Sequence, residues 1–492
     1  MTITSFYFLT FIAIVAVVYW YLPAKAQWVW LLLASITFYC VNIKWYTILY
    51  VIANVGTVYI ATRLFETASY KKKRAILTVT LIINVAILAV LKYSTLAIGT
   101  VNLLFGTNFE KLGLVSSLAI SFYLLSLLSY LLDAYWGVVE VEKNPLKLLL
   151  FTIFFPLMTS GPIHKHSELA GELFTEHRFD YEEVSNGLKR VAYGLFKKLV
   201  IANRLSIIVA TVFDDYYLYT GICLWIAAML FLLELYIDFS GCMDIVIGVS
   251  MCFGIKLKEN FRSPFFSKTI QEFWQRWHIT LGTWLRDYVM NPILKTDAFV
   301  NLGKKCKKRF GKKIGKKIPS FIAMFVLWSL MGLWHGDGWK YIVGEGWWFW
   351  TVIVISQLLD IKVHEGKLWN LLQRVRTYLI ATVGLWFFRA ESLREAINMI
   401  WHSFGFAGTK DKLMFWLNSS KGLIGGYVGI LTMIIGILVV WKVDRDVYYN
   451  EAVVVKWNGT NPVVRYLVYI VGGCLIMSSL SMGSTGFVYQ QF

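Results

Sequence analysis

Apolar residues run in blocks of about twenty along almost the whole chain, separated by short polar links. That spacing predicts membrane-spanning helices, because a hydrocarbon core about 30 Å thick takes roughly 20 residues rising about 1.5 Å each. The first block, residues 5–22 (SFYFLTFIAIVAVVYWYL), lacks the basic leader and small-residue cleavage pattern of a signal peptide and is expected to be a retained helix. Further spans are expected at 27–42, 46–65, 76–93 and 112–136, within 219–255, and at 320–336, 340–360, 374–390, 423–441 and 463–480, eleven in all. Asp133 falls near the end of the fifth, where an interface tolerates it.

Two stretches break the pattern. FTIFFPLMTSGPIHKH (151–166) carries Pro156, Gly161 and Pro162 inside an apolar run. It cannot be one regular helix, and interrupted backbone at membrane depth must be buried in protein or line a wet cavity. Residues 164–190 are hydrophilic and mixed in charge, a loop with a short amphipathic helix. After them GLFKKLVIANRL (194–205) sets Lys197 and Lys198 among Leu, Val and Ile, a pattern expected of an interfacial helix.

Composition agrees with the periodicity: 57% of the 492 residues are apolar and 17% aromatic, and the mean hydropathy is +0.58. The expected fold is an all-α polytopic membrane protein with re-entrant and interfacial helices, leaving no room for a separate soluble domain. The formal charge of +18 would suit nucleic acid, but the Lys and Arg residues concentrate in short links between apolar blocks. There they act as topology signals and contacts for anionic lipid, and nucleic acid is excluded as a partner. The clusters Lys71, Lys72, Lys73, Arg74 and KKCKKRFGKKIGKK (304–317) are therefore placed in the cytoplasm, and counting back three crossings puts the N-terminus outside. The six cysteines (Cys40, Cys223, Cys242, Cys252, Cys306, Cys474) have no metal-type spacing and read as reduced packing residues.

Chemistry is expected at two histidines placed where charge is costly. His335 follows about fourteen almost wholly apolar residues in FIAMFVLWSLMGLWHGDGW, and an ionisable group in such a span is a functional-site candidate. Gly332, Gly336 and Gly338 flank it and allow close backbone approach or a helix end, which would free space beside the imidazole for a substrate. Its ring has a pKa suited to taking a proton from a hydroxyl or thiol; the alternative is a histidine hydrogen-bonded at a helix end. His278 lies in EFWQRWHITLGTWLRDYV, which as one helix places Trp274 a turn before it and Thr280, Trp284, Arg286 and Asp287 beyond. A helix polar on every side must face protein or water, unless it is simply interfacial with a tryptophan belt. Glu272 and Arg276, four apart, can pair. Asp238 and Asp244 in YIDFSGCMD are deep carboxylates that could orient a histidine, pair with Arg286 or carry protons; structural pairing is the favoured role. Trp274, Trp277, Trp334, Arg286, Asp287, Asp238 and Asp244 are the candidates for substrate binding or site support. His164, His166, His177, His364 and His402 are too few and too irregular for a metal site.

The ordered set FFPLMTSGPI, GLFKKLVIANRL, YIDFSGCMDIVIG, ENFRSPFFSKTIQEFWQRWHITLGTWLRDYV, GLWHG and LWFFRAESLREA resembles the membrane-bound O-acyltransferase (MBOAT) family. The likeness is to its bacterial branch, which serves alginate O-acetylation and the D-alanylation of teichoic acid. It runs from about residue 150 to the C-terminal GFVYQQF, and its most specific part is EFWQRWHITLGTWLRDYV. The resemblance implies one polytopic domain over 1–492, with N-terminal spans to 145, a core over 146–410, C-terminal spans over 411–492, and a central funnel or tunnel. It implies that His335 is the family's membrane histidine and His278 its companion. It also implies an acetyl-CoA donor from the cytoplasm, no tightly bound cofactor or metal, an extracytoplasmic SGNH-type partner, a cell-surface polysaccharide acceptor and a place in the bacterial cell membrane. D-alanyl transfer from a carrier protein is the alternative within the family. Cys242 and Met243 stand where the family often has Tyr and Ser, and the lysine-rich stretch after Pro292 is an insertion. A proton-coupled transporter would also use deep Asp and His, but it predicts paired broken helices in two symmetric halves, a pattern this sequence lacks.

Overall fold

A computed structural model describes residues 2–110, 112–114, 119–219, 221–405, 408–450 and 461–480. Among these residues the regular structure is helical, apart from one isolated antiparallel bridge between Phe261 and Trp277. Among the described residues seven helices are long and apolar enough to cross a membrane: Ala24–Asn42, Trp45–Phe65, Tyr70–Phe105, Ile222–Met251, Ile318–His335, Gly426–Asn450 and Pro462–Leu480. Two shorter apolar helices, Phe6–Tyr21 and Ile120–Trp136, occupy two more of the expected spans. The remaining two coincide with helical backbone over 339–358 and with Lys367–Arg389. The chain is thus a multi-pass, all-helical membrane protein. Tyr70–Phe105 has 36 residues, well beyond the expected 76–93, with the basic cluster drawn in at its start and residues 94–105 continuing it at its end. The fifth helix begins later than expected, at Ile120, and positions 115–118, like GFVYQQF, lie outside the described residues.

The interrupted segment behaves as its prolines require. A helix Pro145–Ile153, with Pro145 in the first turn and Asn144 capping the Leu146 N–H at 2.9 Å, gives way to a 3₁₀ turn at Leu157–Thr159. Extended backbone then leads to the helix His166–Phe174.

Two compact units emerge, one of residues 1–192 with 242–259, the other of 193–241 with 260–492. The division falls inside the helix Ile222–Met251 and separates two of the candidate carboxylates. In the first unit Asp244 accepts from Arg190 Nε at 3.1 Å, and Glu259 accepts from the same guanidinium at 2.7 and 2.6 Å. Burial opposes the charge on Arg190, yet the two carboxylates outweigh it and hold the guanidinium above its ordinary pKa. In the second unit Asp238 meets Lys198 at 2.6 Å, with both side chains fully buried. Asp238 meets this lysine and not Arg286, which pairs with Asp287.

Lys197 and Lys198 correct a second expectation. They are buried in a π-helical segment, Phe196–Ala202, instead of lying at an interface. Lysines survive there only because they have partners: Lys198 has Asp238, and Lys197 donates to Ser240 Oγ at 3.2 Å beneath the Tyr193 ring.

Candidate active site in the second unit

The segment around His278 is not one helix. Ile270–Arg276, capped by Thr269, ends one residue short of Trp277, and Ile279–Leu285 begins only after His278. The expected Glu272–Arg276 pair forms within the first of these, at 3.0 Å. The break has a tertiary cause. Residues 260–262 run antiparallel to 276–279: Arg262 N–H donates to Arg276 O at 2.9 Å and Ile279 N–H to Asn260 O at 3.0 Å. This pairing holds His278 in the left-handed region, at φ +47°, which costs a non-glycine residue about 1 to 2 kcal/mol. The strain is offset around Asn260, whose Oδ1 accepts from Thr280 N–H at 3.0 Å and from Thr280 Oγ1 at 2.9 Å, and lies 3.3 Å from His278 Nδ1. His278 is 1% exposed, and burial first, with the neighbouring His335 second, holds its imidazole well below the usual histidine range. The ring is neutral at pH 7.

His335 is the last residue of Ile318–His335 and is 4% exposed. Its Nδ1 is 2.8 Å from Met331 O, the helix-end hydrogen bond that was the alternative reading of this residue. Glu345 Oε2 lies equally close to Nδ1, at 2.8 Å, but takes no hydrogen bond, so the carbonyl takes the hydrogen and the carboxylate would form an ion pair only with a protonated ring. Both neighbours are acceptors, which requires Nδ1 to carry the proton in the neutral ring. The flanking glycines do not leave room for a substrate as expected. A Cβ at Gly332 would lie 2.5 Å from Tyr341 O, and one at Gly336 would lie 2.1 Å from the Tyr341 ring. Their missing side chains instead admit the protein's own next segment. That segment, the π-helical Ile342–Trp347, carries Glu345 to His335.

The two imidazoles come together: their ring centroids are 6.1 Å apart. Trp334 lies beside both, 5.5 Å from His278 and 4.9 Å from His335, with Phe239 5.0 Å from His278 and Phe388 5.6 Å from His335. The other candidates are placed differently. Trp277 stacks on Phe273 and meets Phe261 edge-on, and Trp274 packs on Trp328 and Phe349. Arg286 and Asp287 pair with each other at 3.3 Å, partly exposed. Phe239, the chain neighbour of Asp238, lies against His278. Sequence reasoning passed over Glu345 and Asn260. Glu345 was detectable as an acid inside an apolar run; Asn260 carried no local signal.

The two histidines thus form a buried pair, each ring with an oxygen facing its Nδ1. The model of the membrane-bound O-acyltransferase family matches residues 139–303, which include His278 and both candidate aspartates. The chain is 30% identical to the peptidoglycan O-acetyltransferase of Helicobacter pylori over 75% of its own length and 72% of that protein. It is 29% identical to the probable alginate O-acetylase AlgI of Pseudomonas putida over 83% of both chains. Against the teichoic acid D-alanyltransferase of Bacillus subtilis it is 31% identical over 47% of this chain and 56% of the relative. The chain belongs to the membrane-bound O-acyltransferase family and is an O-acyltransferase.

Proposed function

We propose that the protein moves an acetyl group from acetyl-CoA at the cytoplasmic face toward an extracytoplasmic polysaccharide, with His335 as general base and His278 holding the acyl donor. The observation that carries this reading is the close pair of buried imidazoles, with Nδ1 of His335 against Met331 O and Glu345. With Nδ1 protonated, His335 Nε2 is the basic nitrogen. It takes the proton of the attacking hydroxyl as that oxygen adds to the thioester carbonyl; the carbon–sulfur bond breaks and the proton passes to the departing thiolate. Glu345 stabilises the imidazolium that forms in between, and the aromatic wall of Trp334, Phe239 and Phe388 keeps water from competing for the acyl group.

Acetyl rather than D-alanyl transfer is supported by the relatives: those sharing most of their length with this chain are named for acetylation of peptidoglycan or alginate. The D-alanyltransferase shares about half. The acceptor side would be served by an SGNH-type partner outside the bacterial cell membrane. Purified protein in sealed vesicles, supplied with labelled acetyl-CoA on the side of the basic clusters and glycan plus partner on the other, tests the reading. Wild type should transfer label, and His335→Ala, folded normally, should lose about 10² to 10⁴-fold. Equal transfer by the two would overturn it.

A further inference from the structure

We propose that Asn260 is a positioning residue for this site: its carboxamide oxygen fixes His278 as the Nδ1–H tautomer, so that His278 offers substrate an acceptor at Nε2 and never, while neutral, a donor. The inference rests on the reading of the histidine pair as the acyl-transfer site and deepens it. Three facts carry it. Asn260 is wholly buried, and its Oδ1 is identified by the Thr280 backbone N–H that donates to it at 3.0 Å, since an amide nitrogen there would oppose two donors. An oxygen 3.3 Å from His278 Nδ1 can only accept, so the ring proton sits on Nδ1. The Asn260 carbonyl, by taking the Ile279 N–H, also holds the backbone turn that aims the ring.

The consequence is chemical. A neutral His278 cannot polarise a thioester carbonyl by donating a hydrogen bond. It holds instead a group that brings its own proton, such as an amide N–H along the donor's pantetheine arm or a hydroxyl of the acceptor. The titrating group that faces it is His335, with Glu345 behind that ring. Among the charged groups on the neighbouring segments, Asp238 is paired with Lys198 and Arg276 with Glu272.

Two measurements test this. Magic-angle-spinning NMR of the full chain in lipid, with histidine labelled by ¹⁵N and the His278 signal identified by its loss in His278→Gln, reads the tautomer without turnover. Wild type and Asn260→Asp, which keeps the acceptor oxygen, should both show Nδ1–H, and Asn260→Leu should show mixed tautomers. Nε2–H in the wild type, or an unchanged signal in Asn260→Leu, would overturn the assignment. Where Asn260→Leu fails to fold, Asn260→Asp decides through the pH profile of kcat/KM. The added carboxylate should move its acid limb up by about one pH unit or more, and a profile superimposable on wild type would show that Asn260 only braces the Thr280 turn. Because the NMR needs no acyl transfer, loss of the functional reading and loss of the Asn260 assignment are distinguishable.

Discussion

Glu345 Oε2 lies 2.8 Å from His335 Nδ1, with both side chains buried. Glu345 Oε2 takes no hydrogen bond among the described residues. A buried carboxylate costs several kcal/mol unless something in its neighbourhood uses the charge. The imidazolium formed when His335 takes a proton would do so. Glu345→Gln, which keeps size and polarity, should therefore slow acyl transfer by about 10²-fold while KM for the donor stays near wild type. An unchanged turnover number would make Glu345 a packing residue.

His164 gives a pH dependence of stability in the first unit. Its Nδ1–H donates to Pro162 O at 2.8 Å and its Nε2 accepts the Lys258 N–H at 3.0 Å, so the neutral ring is fully used and a second proton would break a bond. Burial lowers its pKa from 6.5 to about 4. The folded pKa lies below the unfolded one, so the unfolded chain takes the proton first. Stability from this residue is intact above about pH 6.5 and is lost as pH falls toward 4, on the order of 3 kcal/mol in all. Thermal unfolding in detergent should show the midpoint dropping over that window. His164→Gln, whose amide oxygen can take the Lys258 N–H without titrating, should make the drop shallower and leave the share of His166, whose pKa burial also lowers to about 4.

The Lys198–Asp238 pair sits where neither charge can find water. Asp238→Ala removes the carboxylate that meets the buried ammonium and should destabilise the protein by about 3 to 5 kcal/mol, whereas Lys198→Met with Asp238→Leu together should cost far less. Denaturant unfolding of the three variants separates these outcomes, and equal losses in the single and double variants would count against a paired charge.

Topology is tested by labelling. With the six native cysteines replaced, single cysteines at Lys72 and Lys308 should resist an impermeant thiol reagent in intact cells and react after permeabilisation. Labelling of either in intact cells would invert the proposed orientation.

The spans were legible because an apolar block long enough to cross a bilayer has few other uses, and the 463–480 block reappears as Pro462–Leu480. The two histidines stood out for the same reason: ionisable groups in apolar surroundings need an explanation. What could not be read was anything decided by a distant partner. Lys197 and Lys198 look interfacial until Ser240 and Asp238 are brought to them. EFWQRWHITLGTW reads as one helix because the residues that break it, 260–262, act through backbone hydrogen bonds that leave no side-chain pattern. The glycines around His335 were rightly marked as places of close approach, but composition cannot say whether the visitor is a substrate or Tyr341.

The 36-residue helix Tyr70–Phe105 adds a mechanical dimension. At about 1.5 Å per residue it is about 54 Å long, against a hydrocarbon core of about 30 Å. A rod of that length must lean steeply or stand proud of the bilayer, and most of its surface is open to lipid. Membrane thickness therefore loads the first unit through this one element. The protein should sort toward, and work best in, bilayers thick enough to relieve that mismatch, a preference set far from either imidazole.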